Sequence, residues 1–171
     1  TQCSNNSLRI GLSWRGGTQK TRAPIRSLKL DDLKSVLAIP NCIFINLQYG
    51  DVTGELEDFH HNTGISIINH PNAISDLDEF AALIESLDFV ISVCNTTVHF
   101  AGALGKQVWV LAPAIPEWRY GLTGLSMDWY PSAKMYRQQV MGDWLGVIDA
   151  LAGDLNIAAR VKHSAGSMGS H

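Results

Sequence analysis

Short apolar runs alternate with helix-spaced apolar positions along most of the 171-residue chain. Leu8 to Trp14 reads as a first strand, followed by a polar, glycine-containing loop from Arg15 to Arg26. Leu30, Leu33 and Leu37 share one helical face, with Ser27 or Asp31 placed to cap its start and Pro40-Asn41 to end it. Cys42 to Gln48 is a second buried strand, stopped by Tyr49-Gly50-Asp51. A short helix over about Gly54 to His61 leads to a third strand, Ile65 to Ile68.

The periodicity is clearest beyond that point. Asp76 is a good N-cap and Glu79, three residues on, completes a capping-box-like pair. Leu77, Phe80, Ala81, Ile84 and Leu87 repeat at amphipathic spacing, and Phe89 to Val93 follows as an apolar strand. Asn95-Thr96-Thr97 opens another helix, for which Gly105 is a plausible C′ residue. Val108 to Ala112 is a fifth strand. From Pro113 to Ala133 the pattern loosens into a long Pro-, Gly- and Trp-rich stretch, and its length itself hints at function. Lys134 to Gln138 suits a short strand, and Trp144, Val147, Ile148, Leu151 and Leu155 mark a final helix. Residues 161–171, ending in Ser-Ala-Gly-Ser-Met-Gly-Ser-His, read as an appended tail, which leaves residues 1–160 as one domain.

Continuous apolar strands separated by helices imply strands covered on both faces. The expected fold class is therefore α/β, a doubly wound, mainly parallel sheet.

Composition narrows the function classes. Thirteen Lys and Arg against sixteen Asp and Glu give a net charge of −3, so no basic field draws nucleic acid or an anionic membrane. No apolar run is long enough for a membrane span. Three widely spaced cysteines without a CxxC pattern argue against a disulfide framework or zinc knuckle and for a reducing cytoplasmic setting.

In a doubly wound sheet ligands bind beyond the carboxyl ends of the strands, where the strand order reverses. There, a dinucleotide site would need GxGxxG after the first strand, where Ser13-Trp14-Arg15-Gly16-Gly17 stands. A P-loop lacks its glycines at Trp14 and Gln19, ahead of Lys20-Thr21. Adjacent His60 and His61 would point about 100° apart on a helix, which suits surface residues better than metal ligands.

The positive signal is Ser92 to His99. A helix starting at the end of a central strand aims free N–H groups and a favourable dipole at an anion in the crevice. Asn95, Thr96 and Thr97 offer further donors, and Arg15 with Gly16-Gly17 comes from the neighbouring strand end, so a pyrophosphate site is plausible. The plainer alternative is that Asn95 only caps the helix. His99, one turn in, suits a structural role better than a catalytic one. Trp118-Arg119 suits stacking on a base or sugar, whereas Trp129 reads better as core.

Taken together, Gly11 to Thr18, Arg26-Ser27-Leu28, Asn46 to Asp51, Ile91 to Gly105, Val108 to Leu111, Pro116 to Tyr120 and Trp129 to Ser132 form a distinctive set. The chain from about Leu8 to Leu155 resembles the C-terminal half of bacterial TPR-containing glycosyltransferases, relatives of the heptosyltransferases and more distantly of O-linked GlcNAc transferase. The resemblance implies the donor-binding, Rossmann-like half of a GT-B enzyme, with transfer that is metal-independent, without a cofactor, and typically inverting. It implies a nucleotide diphosphate sugar as donor, and a missing N-terminal domain that supplies the acceptor contacts and the base. Arg15 falls where relatives place a basic group near the phosphates. Thr96-Thr97 resemble the threonine pair that contacts the diphosphate in O-linked GlcNAc transferase, and His99 matches the histidine of the heptosyltransferase Asp-Thr-Gly-x-x-His pattern.

Cys94 and Asn95 depart from that pattern at the Asp and Thr positions, so the sugar identity does not carry over. The expected donor-binding set is Ser13, Trp14, Arg15, Gly16, Gln48, His70, Asn95, Thr96, Thr97, Trp118 and Arg119, with Gln48 and His70 near base or ribose. His99 is the one catalytic candidate. The isolated domain is expected to bind a nucleotide diphosphate weakly and to transfer no sugar, because catalysis by positioning needs both walls of the cleft. Two alternatives stay open: a GT-B nucleotide-sugar epimerase half, and a non-catalytic scaffold using its loop aromatics as interface anchors, with a homodimer as one arrangement.

Overall fold

The computed structural model describes residues 6–17 and 23–168. Its core is one seven-stranded sheet built from β1 (Leu8–Ser13), β2 (Cys42–Asn46), β3 (Ile67–Ile68), β4 (Phe89–Val93), β5 (Val108–Ala112), β6 (Ser126–Met127) and β7 (Tyr130–Arg137). The spatial order is β3-β2-β1-β4-β5-β7-β6, parallel throughout except for the β6–β7 pair. Strand order reverses between β1 and β4, so their carboxyl ends flank the crevice expected of a doubly wound sheet.

Helices cover both faces. One layer holds a 3₁₀ turn (Leu30–Leu33) running into α2 (Lys34–Leu37), then α3 (Thr53–Thr63) and α7 (Leu145–Met168). Leu33, Val36, Leu56, Phe59, Leu151 and Leu155 of this layer pack on Ile10, Leu12 and Ile91. The other layer holds α5 (Leu77–Glu85) and α6 (Thr96–Ala103), whose Phe80, Ile84, Val98 and Ala101 pack on Ile45, Val90 and Val110. Each central strand thus buries both of its faces, which is why it reads as an unbroken apolar run.

Several local expectations stand. Asp76 caps α5, its carboxylate accepting from Asp78 N and Glu79 N at 2.9 and 3.0 Å. After α6, Gly105 takes φ +69°, and Lys106 N donates to Ala101 O at 2.9 Å, the wide bond of a Schellman close.

Others are corrected. Neither Ser27 nor Asp31 caps the helix after Lys29; Asp32 reaches back to accept from Lys29 N at 2.8 Å. The strand expected over Lys134–Gln138 is longer, because β7 pairs with β5 from Ala133 to Arg137 and forms a hairpin with β6. Trp129 is not core: it is 57% exposed in that hairpin. Two short helices add to the expected elements: α1 (Ala23–Arg26), within the stretch expected as a loop, and α4 (Pro71–Ser75). The final helix runs on to Met168, and Lys162 is tied to Asp88 at 2.5 Å, so the segment read as a tail joins the fold at least that far.

Candidate functional site at the end of β1 and β4

Two side-chain amides, buried Gln48 and half-buried Asn95, set the geometry of the crevice. Gln48, just past β2, accepts through Oε1 from Ser13 Oγ, Trp14 N and Arg15 N at 3.2, 3.0 and 2.8 Å. Asn95, the N-cap of α6, is bonded on every side. Its Oδ1 accepts from Ser92 Oγ and Thr97 N, each at 2.9 Å, and its Nδ2 donates to Ser13 Oγ and Arg15 O at 2.7 and 3.0 Å. The end of β1 is thereby sewn to both neighbouring strands.

The loop that leaves β1 passes directly over this knot. A Cβ on Gly16 would stand 2.7 Å from Cys94 O, so only glycine allows the approach. Gly17, at φ +79°, lies on the guanidinium of Arg26, and any side chain there would overlap it. The strap Arg26–Leu28 folds back to hold the loop. Ser27 Oγ accepts from Gly16 N at 3.1 Å and Leu28 N donates to Trp14 O at 2.8 Å. Thr18 and the Lys20-Thr21 pair lie outside the described residues.

These bonds sort the expected binding residues. Ser13, Trp14, Gln48 and Thr97 are buried, and the polar groups of Ser13, Gln48 and Asn95 are engaged within the protein. These bonds hold the frame of the crevice together. Asn95 is thus a cap and a cross-tie, with no side-chain donor left over. Thr96 is exposed on the first turn of α6, and among the described residues no acceptor of the protein takes the N–H of Thr96 or Val98.

Arg15 is the clearest correction. Its carbonyl faces Asn95, but its guanidinium turns to Glu55 of α3, in the helical layer on the opposite face from α6. Glu55 also accepts from Trp14 Nε1 at 2.9 Å, and the Arg15 head lies over the Trp14 ring. The cations that border the α6 tip are others. Arg26 and Arg119 share the carboxylate of Glu117, and Cys94 feels the charges of Arg26 and Arg137. Neither Arg26 nor Glu117 belongs to the expected binding set, although both sit in the distinctive blocks of the sequence.

Cys94 faces inward. It is 1% exposed, and burial pushes its thiol up to about 12. His99 is held between two tyrosines, with Nδ1 3.3 Å from Tyr130 Oη and Nε2 3.3 Å from Tyr120 Oη. Tyr120 Oη also donates to Asn95 O at 3.3 Å. One proton arrangement satisfies all three contacts: Nε2–H donates to Tyr120, and Tyr130 donates to Nδ1. Burial and then the nearby Arg119 hold the His99 pKa below its ordinary value, with Glu117 opposing. Both ring nitrogens are engaged, so His99 supports the tip more readily than it serves as a base.

His70 and the indoles stand further out. His70 precedes α4 at the end of β3 and lines a hollow of about 400 Å³ with Asn69, Glu79 and Leu83. A neighbouring hollow of about 300 Å³ lies between the ends of β2 and β3, walled by Tyr49, Asp51, Asn69 and Pro71. From β3 to β4 is three strand spacings, about 14 Å. Trp118, 74% exposed, meets Trp129 edge-on at 5.8 Å, and the Arg119 head lies over its ring. Among the described residues, no three His, Cys, Asp or Glu side chains gather as a metal site requires, and no helix is long and apolar enough to cross a membrane.

Comparison with known proteins adds a fold. No protein-family model matches the sequence. Over 139 residues the chain is 31% identical to Protein FlbA of Caulobacter vibrioides, a match covering 80% of this chain and 23% of that protein. The chain thus spans less than a quarter of the length of this relative. A solved structure, that of the glycosyl transferase family 9 from Veillonella parvula DSM 2008, superposes with a TM-score of 0.57 at 12% identity. It covers 91% of this chain and 48% of that one. The likeness is one of fold. The sheet and its helical layers share the α/β fold of about half of that neighbour's chain.

Proposed function

We propose that this domain binds a nucleotide diphosphate sugar and is the donor half of a metal-independent, inverting glycosyltransferase whose acceptor-binding half lies elsewhere. The observation that carries this reading is the first turn of α6. It opens at the switch point of the sheet, has N–H groups at Thr96 and Val98 that no acceptor among the described residues takes, and exposes Thr96 beside a glycine loop. Such a terminus favours a phosphate by hydrogen bonding and by its dipole. The diphosphate would lie across this turn, where it is stabilised as a leaving group. The nucleoside would extend toward the hollow by Tyr49 and Asp51, a distance on the scale of a nucleoside diphosphate. The fold likeness to a glycosyl transferase family 9 structure, in which a comparable domain is about half of the chain, supports the same reading.

A second reading draws on a different observation. Trp118, Leu122, Leu125 and Leu145 are each more than 70% exposed. Apolar surface of this kind suits a scaffold that docks a partner and has no ligand of its own.

Thermal unfolding with UDP, GDP, ADP and CMP, with and without Mg²⁺, separates the two. A ligand bound only by the native state raises stability by about 2.7 kcal/mol at one hundred times its Kd. The donor reading expects stabilisation by one diphosphate, without need of Mg²⁺, that is lost in Thr96→Val and Gly16→Val. Indifference to every nucleotide supports the scaffold.

A further inference from the structure

Arg26 and Arg119 reach one carboxylate from distant parts of the chain. Arg26 ends α1, shortly after β1, whereas Arg119 sits in the 3₁₀ turn Trp118–Tyr120 after β5. Glu117 gives one oxygen to each: Oε1 takes Arg26 Nη1, and Oε2 takes Arg119 Nη2 at 2.8 Å. The side chains differ in freedom. Arg26 is 10% exposed, pinned under Gly17, while Glu117 and Arg119 are 35% and 42% exposed.

The group reaches the first turn of α6 through the glycine loop. The glycine loop lies between them, with Gly16 against Cys94 and Asn95 and Gly17 against the Arg26 guanidinium. Glu117 and Arg119 act electrostatically on His99, and Glu117 and Arg26 on Cys94. The two guanidiniums and the carboxylate they share carry a net charge of +1 between them.

We propose that Arg26 and Arg119 form an anion cradle for a phosphoryl group, and that Glu117 is its resident internal anion, displaced when a diphosphate enters. This rests on reading the α6 tip as a diphosphate site. Carboxylate and phosphoryl oxygens compete for the same guanidinium donors, and both make charge-assisted bonds. Glu117 sets a carboxylate against the buried Arg26 guanidinium while no ligand is present. Because Glu117 is one-third exposed, it can turn out to solvent as the ligand arrives. The donors are therefore held in place before binding, at the cost of competition from within. That competition disfavours weakly charged anions and selects the more highly charged diphosphate over a single phosphate.

The test is calorimetric titration of the 171-residue chain with inorganic pyrophosphate, inorganic phosphate, ADP and UDP, on wild type, Glu117→Gln, Glu117→Asp and Arg119→Gln. Glu117→Gln is expected to bind pyrophosphate about tenfold more tightly than wild type and to narrow the preference over phosphate. Arg119→Gln is expected to weaken binding, and the double variant Glu117→Gln/Arg119→Gln to lose the gain. If Glu117→Gln fails to fold by circular dichroism, Glu117→Asp decides, since the shorter carboxylate bridges the two arginines less well and should give an intermediate gain. Equal or weaker pyrophosphate binding in the folded Glu117 variants overturns the displacement and makes Glu117 a strut. Wild-type binding unaffected by Arg119→Gln overturns the cradle alone and leaves the tip standing. Absence of pyrophosphate and nucleotide binding in every protein overturns the cradle and the donor reading together.

Discussion

The side-chain oxygen of Gln48 accepts hydrogen bonds from the backbone of both Trp14 and Arg15, at 3.0 and 2.8 Å, from a position 7% exposed. A single side chain from the end of β2 thus terminates β1 and sets where its loop departs. Replacing it with an apolar isostere strands two backbone donors away from water. Gln48→Leu is expected to lower stability by about 2–4 kcal/mol, measured by urea denaturation, whereas Gln48→Glu retains the acceptor but buries a charge. Both should also weaken nucleotide binding, because the glycine loop loses its anchor.

Much of this architecture is legible along the chain because each central strand is apolar on both sides and each crossover helix has a clear stripe. Val108–Ala112 and Phe89–Val93 have the predicted boundaries for that reason. The β6–β7 hairpin carries no such pattern: Ser126, Tyr130 and Pro131 do not alternate, and pairing with β5 supplies what local pattern lacks. The C-terminal part of α7 has a tail-like composition, yet Lys162 is held by Asp88, 74 positions earlier. The candidate site shows the same division. Its location at the α6 tip follows from strand order, but which arginine borders it does not. Arg15 directly precedes the glycines in sequence, yet the side chain found there is Arg26, brought back by a strap that sequence spacing does not reveal.

Arg15 therefore has a different expected phenotype from the one its position suggests. It pairs with Glu55 at a site where its side chain is 42% exposed, and exposed pairs contribute little. Arg15→Ala should cost less than about 1 kcal/mol in chemical denaturation. Its effect on pyrophosphate affinity should be smaller than that of Arg119→Gln in the same titration, since the guanidinium faces α3. A larger loss in Arg15→Ala would show that the side chain leaves Glu55 for the ligand.

His99 gives the fold a dependence on mildly acidic pH. Burial, then Arg119, lowers its pKa from the ordinary 6.5, and Glu117 only partly offsets them. On acidification the unfolded chain takes up this proton first, so the native state loses stability as pH falls below 6.5 through the folded value. Above 6.5 the imidazole is neutral in both states and contributes no slope. The carboxylates with lowered pKa values, Asp88, Glu117 and Asp154, act in a separate, more acidic window below their ordinary values. Urea midpoints measured at intervals from about pH 8 to 5 should fall in wild type and fall less in His99→Gln. Tyr120 and Tyr130 face the ring directly, so Tyr130→Phe should also alter the slope without removing it.

Asn95 joins two roles that one substitution can separate. Its Oδ1 caps α6 through Thr97 N, while its Nδ2 ties Ser13 Oγ and Arg15 O across the gap between β4 and β1. Aspartate keeps the cap, for which it is as good a residue as asparagine, but offers no donor. Asn95→Asp would set a second carboxylate oxygen against the Arg15 carbonyl and leave Ser13 Oγ to reorient. The expected loss is about 1–3 kcal/mol, the usual cost of unmaking partly buried hydrogen bonds. Hydrogen exchange should locate it: amides of Trp14 to Gly17 exchange faster while those of α6 stay protected. Faster exchange through α6 instead would mean that the cap, and not the cross-strand tie, is what Asn95 chiefly provides. The added negative charge also lies at the tip, so pyrophosphate affinity should fall more in Asn95→Asp than in Asn95→Ser, which retains a cap without the charge.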